Sequence, residues 1–334
     1  MAEALLRDLA TIQGWESGRR PLGNVAAIAL LELKRRLPAL GADPAVVRLL
    51  DAAMDADRVI SAALAPPQQP GHHPLADWVH TRDTAHMIAW AVNGTTPPPL
   101  RPRLTAPRRG PVAKAPLMSA TDRTAFFAHL RDVTDGASRT GQEDALLYRQ
   151  ALYLTSYDLT AETTRWTAHT LHARRGALST RGWTSRWAEA RSTATALARL
   201  GDPQPLMDFI ERGMVDDDTA EAANLNYWAY WLGALPDTQA DDAFMRDRTL
   251  SGWDPVTLLR GLLQGFHQAP GFVDLYIHSL WALVTSHNWL PMAVPDLAAR
   301  LGERTDEFMS AGGLSAQARR ELDGVHYVLR ENSK

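Results

Sequence analysis

The chain has 334 residues and no cysteine, so it can hold no disulfide framework, no thiolate zinc site and no cysteine nucleophile. That composition suits a reducing compartment, and a cytoplasmic protein is expected. Long hydrophobic runs are also missing, since nothing approaches the roughly 20 apolar residues that cross a bilayer. The opening Met1-Ala2-Glu3-Ala4-Leu5-Leu6-Arg7-Asp8 puts charges where a secretory leader needs its apolar stretch. No membrane partner is expected. Nor is there an excess of one charge: 35 Lys and Arg stand against 38 Asp and Glu, a net charge of -3. Attraction to nucleic acid must therefore come from a local basic region. Gly-rich phosphate loops, Gly-x-Ser-x-Gly elbows and kinase signatures are absent, so the expectation is no enzyme and no cofactor.

Alternating β-branched runs are almost absent as well, while Ala, Leu, Arg and Glu recur at helical spacing. The fold class expected is all-α. Length and composition suit one small and one large domain. The first, residues 1–65, contains a helix from Asn24 to Leu37 whose apolar positions Val25, Ile28, Leu31 and Leu37 share one face. Gly41 stops it. Asp43-Pro44 starts the next helix as N-cap and first helical residue, with Val46, Val47, Leu50, Met54 and Ile60 as its stripe.

Residues 66–118 are rich in proline and read as a linker, interrupted by one helix from about Leu75 to Val92. After Pro97 the linker is basic, with Arg101, Arg103, Arg108, Arg109 and Lys114, and reads as a solvated spacer or as an arm that tracks phosphates. From 119 to 334 helical patterns return, separated by Gly, Pro and Asp turns. An irregular bundle or an α-solenoid of TPR-like type is expected there.

The most informative segment is Asp8 to Pro21. Asp8 can cap a short helix that buries Ile12 and Trp15 and ends at Gly18, leaving Leu9, Ala10, Gln13 and Ser17 outside. A face that small can enter a major groove. The segment resembles the second half of the lambda-repressor-like helix-turn-helix of the XRE family of transcriptional regulators. The positions that match that family's recognition-helix pattern are Thr11, Ile12, Trp15, Glu16, Gly18, Arg19, Arg20 and Pro21. Ala2-Glu3-Ala4-Leu5 falls in register with the end of the family's second helix. Leu6 stands where the family's turn usually has Gly, and the first helix and the front of the second have no counterpart, so the resemblance is to an N-terminally truncated member.

The resemblance implies a candidate DNA-binding set of Leu9, Ala10, Thr11, Gln13, Ser17, Arg19 and Arg20. Leu9, Ala10 and Gln13 would neighbour base edges, and Ser17, Arg19 and Arg20 would meet phosphates. It further implies double-stranded DNA as partner, a homodimer, and a C-terminal helical domain that senses a ligand or partner. Residues 222–231 and 271–281 are similar to segments in the helical C-terminal regions of actinobacterial regulators of this type.

Within that region Asn224, Asn226, Tyr227, Trp228, Tyr230 and Trp231 combine amides with aromatic walls, the materials of a small-molecule site. Asp274 and His278, at i and i+4, can pair on one face and complete a tentative ligand-binding set. For each of these the plainer reading is a satisfied core residue. His169 and His172 lack the carboxylate of a zinc motif, and His72-His73 is expected exposed, so no metal site is expected. Asp216-Asp217-Asp218 begins a helix and reads as a cap. The alternative function is a non-DNA-binding helical scaffold that takes a peptide or protein in a Trp-rich groove, with a helical enzyme using Asp274 and His278 as a distant third.

Overall fold

The computed structural model describes residues 2–17, 19–65, 73–101, 117–140, 145–179, 181–265, 269, 271–311 and 313–331, with the side chains of 138–140 and 311 left aside. Every regular element among them is helical, and the chain is all-α. Among the described residues no helix is long and apolar enough to cross a membrane. The chain divides into two compact units, one of residues 1–71 and 83–126 and one of residues 72–82 and 127–334. The expected linker is thus split between them. Residues 66–72 and 102–116 lie outside the described part, and Arg103, Arg108, Arg109 and Lys114 with them. Between those stretches the one expected helix is two, α5 (Pro74–Asp77) and α6 (Arg82–Asn93), with Leu75, Ile88 and Val92 buried.

The first unit opens with α1 (Ala2–Leu5) and α2 (Leu9–Glu16), followed by α3 (Ala27–Ala39) and α4 (Pro44–Leu64). Between α1 and α2 Leu6 adopts φ +51°, the left-handed conformation that favours glycine. Leu6 N–H bonds Glu3 O and Arg7 N–H reaches back to Ala2 O, closing α1 in the manner of a Schellman turn. A small core of Leu5, Ile12 and Leu33, with Trp15, Leu22 and Leu37 packed on it, holds α1, α2 and α3 together. Gly41 (φ +87°) ends α3, and Ala42 N–H reaches Leu37 O across it. Asp43 then caps α4 through Ala45 N–H.

One expected face is corrected. Leu33 is the buried residue of α3, whereas Ile28 and Leu31 are 66% and 47% exposed. The run Ala27-Ile28-Ala29-Leu30-Leu31 is apolar nearly all round, so periodicity did not select a side. On α4 Val47 is buried as expected, together with Leu49, Ala52, Ala56, Val59 and Ala63, whereas Val46, Leu50, Met54 and Ile60 are half-buried.

The chain passes from the first unit to the second inside α7 (Ala120–Thr140). The second unit then comprises α8 (Ala145–Thr155), α9 (Ala161–Arg174), α10 (Trp187–Arg199), α11 (Gln204–Gly213), α12 (Asp218–Trp231), α13 (Pro255–Gln264), α14 (Phe272–Ser286), α15 (Leu290–Ala293), α16 (Pro295–Ala311) and α17 (Ala316–Glu331). Residues 156–160 separate α8 from α9, and Asp242–Arg246 is a 3-10 turn. One large core, from Trp187 and Leu206 through Leu225 and Trp253 to Leu283 and Leu301, is shared by these helices.

Side chains hold what helices cannot. Helical backbone satisfies itself, but the irregular segments need outside partners. Buried Gln150 takes the N–H of His80 and donates to the carbonyls of Leu75 and Trp78, clasping that segment against α8. Arg149 meets Asp242 with two hydrogen bonds and so ties α8 to the 3-10 turn.

Asp217 illustrates how a cap and a packing contact combine. Its Oδ1 accepts from Thr219 and Ala220 N–H, and its Oδ2 accepts from Trp183 N–H. Partial burial works to raise this carboxyl's pKa, but the N–H donors of Ala220, Trp183 and Thr219 outweigh it and the net shift is downward. Asp217→Ala should lower stability at neutral pH by about 1–2 kcal/mol, read by urea denaturation. Because the native pKa lies below the unfolded one, this contribution is complete above the unfolded pKa and vanishes as pH falls through the native one. The gap between wild type and variant should therefore close on acidification, and a gap that persists in acid would contradict the carboxylate's role.

Candidate functional site

In the first unit the site is built on α2. Asp8 is its N-cap: Oδ1 accepts from Thr11 N–H and Oδ2 from Thr11 Oγ1, both at 2.7 Å. The side-chain bond from Thr11 and then its N–H hold the Asp8 carboxyl below its usual pKa. Ile12 is 4% exposed, and Trp15 lies half-buried on the small core, so both turn inward. Leu9, Ala10, Gln13 and Ser17 face solvent, with Leu9 63% exposed.

Not all of the candidate set is alike. Thr11 is half-buried, and its hydroxyl is used twice, donating to Asp8 and accepting from Arg20 Nη1 at 3.0 Å. It is therefore a positioning residue for the cap. Arg20 is laid back along the helix: a Cβ at Gly14 would sit 3.0 Å from its Cδ, so glycine there makes room for its stem. Arg19 bonds only locally, Nε to Ser17 Oγ at 3.1 Å, and is exposed. Gly18 lies outside the described residues. Arg7–Glu32 at 3.1 Å and the bond from Arg36 Nη1 to Ala4 O fix the start of the unit to α3.

In the second unit the amides and aromatics of α12 separate into different roles. Asn226 is fully used: its Nδ2 donates to the carbonyls of Phe244, Met245 and Asp247, and its Oδ1 accepts from Trp253 Nε1 at 2.7 Å. It is a staple for the 3-10 turn. Tyr230, buried, donates its hydroxyl to Val79 O and so anchors the segment that Gln150 clasps. Trp228 is 7% exposed and packs on Tyr276 with ring centroids 5.0 Å apart. These residues do not form an open groove.

Asn224 and Tyr227 are different. Asn224 is fully buried, donates to Ser279 Oγ at 2.9 Å, and its Oδ1 has no partner. Tyr227 lies 3.8 Å under the guanidinium of Arg191 and stacks on Trp231. Arg191 was not legible as a site residue. It is buried on α10 with Nε and Nη2 unpartnered, and burial lowers its pKa while Tyr227 works against that. Its sequence signal is an arginine on the apolar stripe of Trp187, Ala190 and Ala194.

Asp274 and His278 do not pair with each other. Asp274 Oδ1 accepts from Ser315 N–H at 3.2 Å, and His278 Nδ1 meets Glu321 Oε1 at 2.8 Å. Both partners stand on or beside α17. Glu321 is a second residue missed, although an acid at i+3 from Ala318 and i-4 from Val325 on a buried face is a readable signal. Asp274 and Glu321 line one cleft of about 510 Å³.

Among the described residues no group of three or more His, Asp or Glu is placed to hold a metal ion. His169 and His172 are exposed, and His72 lies outside the described part. His73, expected exposed, is half-buried and stacks on His129 at 5.4 Å; burial, with His129 beside it, pulls its pKa to about 4.

Asn226→Ala should remove the partner of one indole N–H and three carbonyls at once, lowering stability by about 2–4 kcal/mol. Thermal and urea denaturation measure this, and a change below ~1 kcal/mol would show that the turn is held by other means. No protein-family model matches the chain, and no curated protein or solved structure matches it, so the reading rests on this geometry.

Proposed function

We propose that the chain is a DNA-binding transcriptional regulator of the lambda-repressor-like type, acting in the cytoplasm as a homodimer on double-stranded DNA. The second unit serves as its ligand- or partner-sensing part. The observation that carries the reading is the orientation of α2: Ile12 and Trp15 turn inward, Leu9, Ala10 and Gln13 face out on consecutive turns, and Arg19 stands just past the C-terminus. A left-handed residue between two short helices supports it too. Gln13 suits bidentate pairing with adenine, and Leu9 and Ala10 suit a thymine methyl. Base readout on one such helix is thin, which is why two copies are proposed. The scaffold alternative, with a Trp-rich groove, draws no support from Trp228 and Tyr230, which are buried.

Fluorescence anisotropy with a duplex from the chain's own promoter tests the proposal. Arg19→Ala should weaken binding to all duplexes alike and reduce the slope of log K against log salt by about one. Gln13→Ala should instead narrow the difference between promoter and unrelated DNA. If Arg19→Ala leaves affinity and salt slope unchanged, the phosphate role is wrong. If no duplex binds at low salt, so is the regulator.

A further inference from the structure

The cleft of about 510 Å³ beside α14 and α17 is of small-molecule size. Its charged lining is one-sided: Asp208, Glu211, Asp274 and Glu321 contribute four carboxylates against the single guanidinium of Arg320. That guanidinium is itself bonded to Gln317 Oε1. Met207, Ile210 and Leu314 supply apolar wall. Two of the carboxylates are buried, Asp274 at 4% exposure and Glu321 at 3%.

An acidic lining alone identifies no ligand, but a buried oxygen in it without a hydrogen-bond partner does. Glu321 Oε1 is occupied, accepting from His278 Nδ1 at 2.8 Å and from Gln317 Nε2 at 2.7 Å, whereas Oε2 is buried without any partner. Among the described residues that line the cleft, the unmet group is this carboxylate oxygen, an acceptor, so the partner it lacks is a donor. A buried carboxylate oxygen without a donor is costly, and a positively charged donor relieves it best. Among the described residues no group of His and carboxylates has the arrangement to hold a metal ion.

We infer that this cleft binds an organic cation, a primary ammonium on an aliphatic body, with the nitrogen on Glu321 and Asp274 and the carbon chain on Met207, Ile210 and Leu314. The site deepens the sensing part of the function proposed above and rests on that reading only for its consequence at DNA.

Isothermal titration of the full chain with 1,4-diaminobutane is the direct test, with n-butanol as the neutral analogue and Mg2+ as the inorganic one. The diamine should bind saturably with a Kd at or below about 1 mM, and n-butanol and Mg2+ should not. Glu321→Gln should weaken the diamine about tenfold or more. Should that variant melt early, Glu211→Gln at the exposed rim decides, with an expected loss of about threefold at low salt. Absence of diamine binding to the wild-type chain overturns the inference, as does Mg2+ binding more tightly than the diamine, or wild-type affinity in the folded variants. DNA anisotropy with and without diamine separates the two readings. Diamine binding that leaves DNA affinity unchanged contradicts the sensor and keeps the site, and no diamine binding contradicts the site whatever DNA does.

Discussion

The direction in which α2 faces is set by one apolar contact, Ile12 against Leu5 and Leu33 with Trp15 closing over them. An eight-residue helix is too short to be stable alone, so its rotation is fixed by whatever it buries. With Ile12 inward, Leu9, Ala10 and Gln13 are carried to the outer side by the 3.6-residue period. The cap at Asp8 and the stem of Arg20 on Gly14 then fix where the helix begins and how the chain leaves it. The functional reading of the first unit follows from that rotation.

A different constraint governs the second unit. Helices packed on one core leave turns and extended segments whose backbone groups need partners, and buried side chains supply them. Gln150, Asn226 and Tyr230 each spend hydrogen bonds on backbone outside the α-helices. Other buried side chains keep a polar atom unmet, Asn224, His278, Glu321 and Arg191 among them. A side chain whose hydrogen bonds are filled by its own fold has none left for a ligand.

Much of this was legible locally. The all-α class, the caps at Asp8, Asp43 and Asp217, the stop at Gly41 and the inward Ile12 and Trp15 all depend on residues within a few positions of each other. The misses depend on longer reach. The face of α3 was ambiguous because Ile28, Leu30, Leu31 and Leu33 surround the helix, and only the position of Leu5 selects Leu33. Asn226 looked like a ligand residue until a turn some twenty residues later was placed on it. Asp274 and His278 have the spacing of a pair, but their partners Ser315 and Glu321 arrive from about forty residues away. Spacing shows which side chains share a helical face, and it does not show what the next helix brings to that face.

Amide NMR of the isotopically labelled chain, titrated with a promoter duplex, tests the central claim most directly, because it reports which residues meet DNA without altering any of them. The account predicts shifts concentrated on residues 9–17 and on Arg19 and Arg20, with Ile12 and the core of the second unit little changed. Shifts centred elsewhere, with α2 silent, would contradict it.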